Sequence, residues 1–393
     1  MRACSKERGS WKGGVDTSEK RPRAREAGLA LGRLPPGPLN AITDVPGVLV
    51  GHVTLVLGEG PVAARTGVTA IRPHPGNVYR LRPRAALFVF NGYGKSVGLP
   101  QLAELGVLET PILLTNTLSV WTAADALVTD ALAQNPDIGL TAGTVNPVVG
   151  ECSDAYLSDI RGRHVKPHHC LEALAQAAGG PVAEGNVGAG TGMSCLGFKG
   201  GVGTSSRRVS LAEDRLEFTV GCLVVANFGR LADLRLDGVP VGRELEATGR
   251  YGRRGPAATA EEEARVPGGS IMIVLATDAP LSSRQLKRVA RRATFGLART
   301  GSVGAHSSGD FVLAFSVADP EPAFPDQPVL TRRVLAEDDR RFGPLFQAAV
   351  EATEEAIVNA LFKAQTMVGR DGHVRPALPI DEVLEIMRRH GRH

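Results

Sequence analysis

Ser270 ends a polar stretch, residues 249–269, rich in glycine, proline and charge, and opens the apolar run Ile271–Ala276. Such a pattern reads as an exposed, mobile loop feeding a buried strand. Gly268 and Gly269 stand directly before the serine. A glycine on the acyl side permits the distorted backbone through which a serine hydroxyl can attack the carbonyl that precedes it. A rigid strand would hold that hydroxyl as a nucleophile. The same residues also suit an ordinary strand start. No GxSxG elbow occurs, so a serine hydrolase of that design is excluded.

Three other stretches fall short of a motif. Phe88 to Ser96 ends in Gly94-Lys95-Ser96 as a phosphate loop does, but Val89 stands where that loop needs glycine. A Gly-rich turn after a strand is the better reading. Gly188-Ala189-Gly190-Thr191-Gly192 lacks the last glycine of a dinucleotide fingerprint, because Met193 occupies it. A close-packed loop against another subunit or a ligand suits it better than a nucleotide. His164, His168 and His169 cluster, yet Pro167 should disrupt a helical presentation, and no HExxH or CxxC spacing supports a metal. The expectation is a surface loop, no metal and no cofactor.

The elements that must position Ser270 are legible. Apolar runs at Ala85–Phe90, Pro111–Leu114, Phe218–Ala226, Ile271–Ala276 and Phe311–Val317 read as buried strands. A helix is expected over Ser282–Thr300, opened by a capping box of Ser282 and Gln285. A second should start at Pro344 and run to Ala364, and a short one should close the chain over residues 381–390. The class is therefore α/β or α+β. With 393 residues, 43% of them apolar, the chain can bury a large core as one domain or several.

Charge and cysteine usage bound the partners. Residues 1–26 hold eight basic and four acidic side chains, which accounts for the whole net charge of +4. The rest is balanced, so nucleic acid is not an expected partner. Residues 1–33 read as a disordered basic extension, with Leu34-Pro35-Pro36 leading into a body at 34–393. Five cysteines form no CxxC pair, no apolar stretch reaches membrane length, and the arm lacks the apolar core of a secretory signal. A cytoplasmic protein without membrane partners is the expectation.

Several segments together carry a resemblance. They are Ala41–Val48 with Val50-Gly51-His52, Arg65–Thr69, Asn91–Leu99, Glu109–Val120, Glu184–Lys199, Ala276–Leu281 and Gly296–Gly301. The chain resembles the autoprocessing serine peptidases that include the L-aminopeptidase/D-amidase-esterase and the β-peptidyl aminopeptidases. The resemblance spans roughly residues 23–370.

It implies a four-layer αββα sandwich of the N-terminal-nucleophile type and assembly as a homo-oligomer of αβ units. It also implies self-cleavage between Gly269 and Ser270, leaving an α chain of residues 1–269 and a β chain of 270–393. Ser270 would be the nucleophile. Asn227 would supply the oxyanion hole, and Ser308 with Asp310 would polarise the nucleophile. Glu151 would hold the free amine of a short peptide, amide or ester, with Tyr156 lining the site. Alternatives are an acyltransferase of the ornithine-acetyltransferase type, which uses threonine where Ser270 stands, and a non-catalytic scaffold.

Overall fold

Two mixed β-sheets lie face to face, and helices cover the outer side of each. The computed structural model describes residues 21–251 and 269–392. In chain order the strands begin with β1 (Leu49–Leu57), β2 (Ala64–Arg72), β3 (Leu81–Gly92), β4 (Ile112–Asn116) and β5 (Val148–Cys152). The short β6 (Ser194–Cys195) and β7 (Phe198–Lys199) form a hairpin. Then come β8 (Gly201–Leu211), β9 (Leu216–Asn227), β10 (Ser270–Thr277) and β11 (Gly309–Pro322). A last hairpin pairs β12 (Met367–Val368) with β13 (Val374–Arg375). The helices are α1 (Leu99–Leu105), α2 (Val120–Gln134), α3 (Pro167–Ala175) and α4 (Val241–Ala247). They continue with α5 (Ser283–Arg299), α6 (Asp339–Lys363) and α7 (Ile380–Arg389).

One sheet has the order β1-β2-β4-β5 and the other β3-β11-β10-β9-β8. Strand β10 is buried on both faces, which is why it reads as an unbroken apolar run and not as an alternating one. Its side chains still divide by parity. Ile271, Ile273 and Leu275 join the core that includes Val289, Ala293, Ala356 and Leu361 of α5 and α6. Met272, Val274 and Ala276 point the other way and meet Ile71, Ile112, Leu114 and Val148 of the facing sheet. A third core sets Val68, Leu113 and Val149 against α2 and α3. Each such buried aliphatic contributes about 1.5–3 kcal/mol. The layers are thus helix, sheet, sheet, helix, as the αββα expectation requires.

Local signals explain most element ends. Ser282 Oγ accepts from the Gln285 backbone N–H, while Gln285 Oε1 accepts from the Ser282 N–H at 2.9 Å. Helix α6 begins five residues before Pro344, contrary to expectation. Asp338 caps it, accepting from the Arg341 N–H at 2.8 Å, and an Arg341–Asp214 ion pair holds the turn ahead of the proline. Pro167 does not break a helix either. It occupies the first turn of α3, where a missing N–H costs nothing.

The basic extension also needs correction. Residues 21–33 pack on the body, with Ala24, Leu29 and Leu31 buried. Arg21 donates to the Phe362 carbonyl at 2.7 Å, Arg23 to that of Thr204 at 2.6 Å, and Arg25 pairs with Glu355 at 2.9 Å. Charges that read as solvated find buried acceptors on α6 and β8. Residues 1–20 of that expectation, and 252–268 of the expected mobile loop, lie outside the described residues. Cys152, Cys170, Cys195 and Cys222 are free and buried. No described helix is long and apolar enough to cross a membrane.

Candidate active site

Ser270 is the first residue of β10, the middle strand of the five-stranded sheet, and is 6% exposed. Its position follows from register on both sides. In β9 it faces Asn227, and in β11 it faces Gly309. The Asn227 side-chain amide donates to the Ser270 hydroxyl at 3.3 Å and to the Ser153 carbonyl at 3.0 Å. Asn227 Oδ1 accepts from the Ser194 N–H at 2.9 Å. With both ends engaged, the amide is held in one orientation, aimed at the hydroxyl.

Ser308 and Asp310 flank Gly309. The Ser308 hydroxyl donates to Asp310 Oδ1 at 2.6 Å, and both residues are buried. Burial pushes the Asp310 carboxyl up to about 6, against the pull of the Ser308 hydroxyl and the Ile271 N–H. Its Oδ2 has no hydrogen-bond partner among the described residues.

Gly269 has a geometric reason to be glycine. An added Cβ would fall 2.3 Å from Phe228 Cα and 2.4 Å from the Asn227 carbonyl oxygen. The Gly269 carbonyl accepts from the Gly309 N–H at 3.2 Å. The peptide before Ser270 is therefore clamped, and its carbonyl is polarised by a ladder hydrogen bond.

Glu151 lies in β5 of the other sheet and is 4% exposed. It accepts from the Lys95 backbone N–H at 2.9 Å and from the Thr117 hydroxyl. The turn carrying Lys95 also reaches the β10–β11 strand pair that holds Ser270, since a Cβ on Gly309 would lie 2.8 Å from Gly94 Cα. The Ser153 carbonyl that holds Asn227 is two residues beyond Glu151. Between them, the buried Cys152 thiol donates to the Val225 carbonyl at 3.4 Å, and burial raises it. The five-stranded sheet thus supplies a serine and an amide, and the four-stranded sheet a carboxylate. A fixed carboxylate next to a serine and an aimed amide can hold an ammonium group and stabilise a developing oxyanion.

Five of the expected residues, Ser270, Asn227, Ser308, Asp310 and Glu151, are thus brought together. Tyr156 is placed by other contacts. Its ring stacks on His373 at 4.7 Å and lies under the Arg375 guanidinium at 3.7 Å, which ties it to the C-terminal hairpin. Sequence reasoning missed Thr117, the Lys95 N–H and Ser153, although the first two fall inside quoted segments. It also missed Asp154, wholly buried beside Thr66 and Asn116, whose carboxyl burial pushes up to about 7. An isolated backbone or hydroxyl donor leaves no spacing pattern to find.

The near-motifs find ordinary uses. The turn after β3 holds Glu151 and no phosphate is implied. The glycine loop at 188–192 packs closely on its own chain, with Gly190 against Val202 and Gly192 against the Arg65 carbonyl. Lys199 locks it by donating to the Gly190 and Gly200 carbonyls, its ammonium lowered to about 7 by burial. Among the described residues no group of side chains is arranged to hold a metal.

Comparison with known proteins agrees with this geometry. The model of peptidase family S58 matches residues 40–375. A β-peptidyl aminopeptidase of Sphingosinicella microcystinivorans is 42% identical, over 95% of this chain and 94% of that one. The PH0078 protein of Pyrococcus horikoshii OT3 superposes with a TM-score of 0.86 at 51% identity, covering 94% of this chain and all of the other. The L-aminopeptidase D-Ala-esterase/amidase of Ochrobactrum anthropi, described as a prototype of the serine aminopeptidases and a variant of the Ntn hydrolase fold, superposes at 0.84 with 37% identity, over 95% and 99% of the chains. Sequence and fold together place the chain in peptidase family S58, as a hydrolase of the serine aminopeptidase type.

Proposed function

We propose that the aminopeptidase activity of this chain runs through Ser270, freed as an N-terminal residue by self-cleavage. In the first reaction Ser270 Oγ bonds to the Gly269 carbonyl carbon and the Gly269–Ser270 C–N bond breaks. Water then hydrolyses the ester, leaving a Gly269 carboxylate and a free Ser270 amine. That amine, with a reference pKa of about 7.7–8.0, can accept a proton near neutrality. In turnover the same oxygen attacks a substrate acyl carbon, the leaving amine or alcohol departs with a proton, and water releases the product.

The other residues take the roles their geometry allows. Asn227 would steady the oxyanion, and Ser308 with Asp310 would polarise the nucleophile. Glu151 would bind the substrate ammonium, restricting attack to the first residue of short peptides, amides or esters. Tyr156 would line the site from the C-terminal side. Further parts of the reading are a cytoplasmic setting, which suits the free buried cysteines, and a homo-oligomer of αβ units.

The observation that carries the reading is register. It sets one serine, at the head of a buried strand, between an aimed amide and a glycine flanked by Ser308 and Asp310. An acyltransferase with a threonine nucleophile is disfavoured by Ser270 itself, and a scaffold has no use for this constellation.

Intact-mass measurement under denaturing conditions tests it. The wild type should give chains of 269 and 124 residues, and Ser270→Ala one inactive chain of 393. An uncut wild type, or an active Ser270→Ala, would overturn the reading.

A further inference from the structure

Two aromatic rings stand at the rim of the site with no role in the scheme above. Tyr93 is 54% exposed, and its ring lies 6.3 Å from that of the exposed His306, tilted by 53°. Both are unusually well fixed for surface residues. Tyr93 is two residues from the Lys95 N–H that holds Glu151. Gly94, between them, is so tightly seated that an added Cβ would lie 2.5 Å from the Phe311 ring and 3.2 Å from Glu151 Oε1. His306 is two residues from Ser308. The Asn91 amide ties its loop to the same turn, donating to the carbonyls of Ala305 and His306 at 3.0 Å and of Ser308 at 2.5 Å. The Lys95 ammonium sits 4.3 Å over the Tyr93 ring and donates to the Tyr93 carbonyl at 2.9 Å. It covers part of a ring that is still 54% exposed.

A residue bound for release is fixed at two points, its amine at Glu151 and its carbonyl at Ser270. One ring rides on the turn that grips Glu151, and the other on the loop that ends at Ser308. We infer that Tyr93 and His306 form the wall that selects the released residue, favouring an aromatic or large apolar side chain over a small one. Rings held rigid before binding lose little freedom on contact, and they reward edge or offset stacking. This inference rests on the proposed roles of Glu151 and Ser270.

The test uses the full chain and its Tyr93→Ala, Tyr93→Phe and His306→Ala variants, with phenylalanine amide, alanine amide, Ala-Ala and Ala-Phe as substrates. Tyr93→Ala should lower kcat/KM for phenylalanine amide roughly tenfold while alanine amide changes less than twofold. Tyr93→Phe should keep the wild-type ratio, and His306→Ala should fall between. Equal losses on both amides, or an unchanged ratio, would overturn the inference while Ser270-dependent hydrolysis left the parent reading intact. A change confined to the Ala-Phe to Ala-Ala ratio would overturn it too, by placing the rings on the leaving-group side. If the wild type hydrolyses none of the four, or Ser270→Ala hydrolyses them equally well, both readings fall together.

Discussion

Asn227 and Ser270 are cross-strand partners in β9 and β10, and the Asn227 amide nitrogen lies 3.3 Å from the Ser270 hydroxyl oxygen. Neither side chain is free to turn away. The Ser153 carbonyl and the Ser194 N–H hold the amide, and burial holds the serine. A donor fixed before the reaction stabilises charge without reorganising during it. Asn227→Ala should therefore lower kcat about 10²–10³-fold, by analogy with removal of a single oxyanion donor. KM should move little. Steady-state kinetics on an amino-acid amide would show this, and a KM effect with kcat preserved would assign Asn227 to binding instead.

Glu151 should act on binding. Two donors, the Lys95 N–H and the Thr117 hydroxyl, orient its carboxylate, and removing the charge leaves them in place. Hydrogen bonds to charged groups are worth about 1.5–3 kcal/mol, so Glu151→Gln should raise KM for a free-amine substrate on the order of 10–100-fold. It should also narrow the discrimination against an N-acetylated form of the same substrate. Equal losses on both substrates would mean that Glu151 supports structure and not amine recognition.

How much of this could be read from residues alone depended on whether the determinant was local. Strand β10 and the capped helix α5 announced themselves, because burial on both faces and a Ser282–Gln285 box are written in contiguous residues. The family resemblance singled out Ser270, Asn227, Ser308, Asp310 and Glu151, and strand register then set the first four at one end of a sheet. What stayed hidden depended on distant partners. The arginines at 21, 23 and 25 looked solvated until α6 and β8 supplied acceptors more than 150 residues away. Thr117 and the Lys95 N–H matter only because β4, β5 and the turn after β3 converge on Glu151. Pro167 misled because one residue type both breaks helices and begins them.

Asp310 should set activity against stability. Its carboxyl is raised in the fold from 3.8 to about 6, so the folded state prefers it protonated. The associated stability is fully present at pH below the unfolded value and is lost as pH rises through about 6. At neutral pH the buried carboxylate is a net cost, of order 1–3 kcal/mol. Asp310→Asn should accordingly raise the thermal midpoint at pH 7 and leave it nearly unchanged at pH 4. If the ionised form polarises the nucleophile through Ser308, wild-type kcat should fall below about pH 6. The Asn variant should lose activity roughly 10²-fold and lack that limb. An unchanged pH profile in the variant would remove Asp310 from the reaction.

Arg207 on β8 is fully buried with two carboxylates of α6, 3.1 Å from Glu351 and 2.6 Å from Glu355. These partners lie on opposite sides of the Gly269–Ser270 bond, so the cluster would hold the two chains together after cleavage. Removing one partner of a buried ion cluster strands the other, at about 3–5 kcal/mol. Arg207→Met should lower the unfolding free energy from urea titration by that much, and the double change with Glu351→Gln should recover part of it, because Glu355 keeps Arg25 as its partner and no buried carboxylate is then left unpaired. A loss below about 1 kcal/mol, within the range of exposed pairs, would show that the cluster is solvated in solution. A loss that the double change deepens would assign the cost to packing of the long arginine stem.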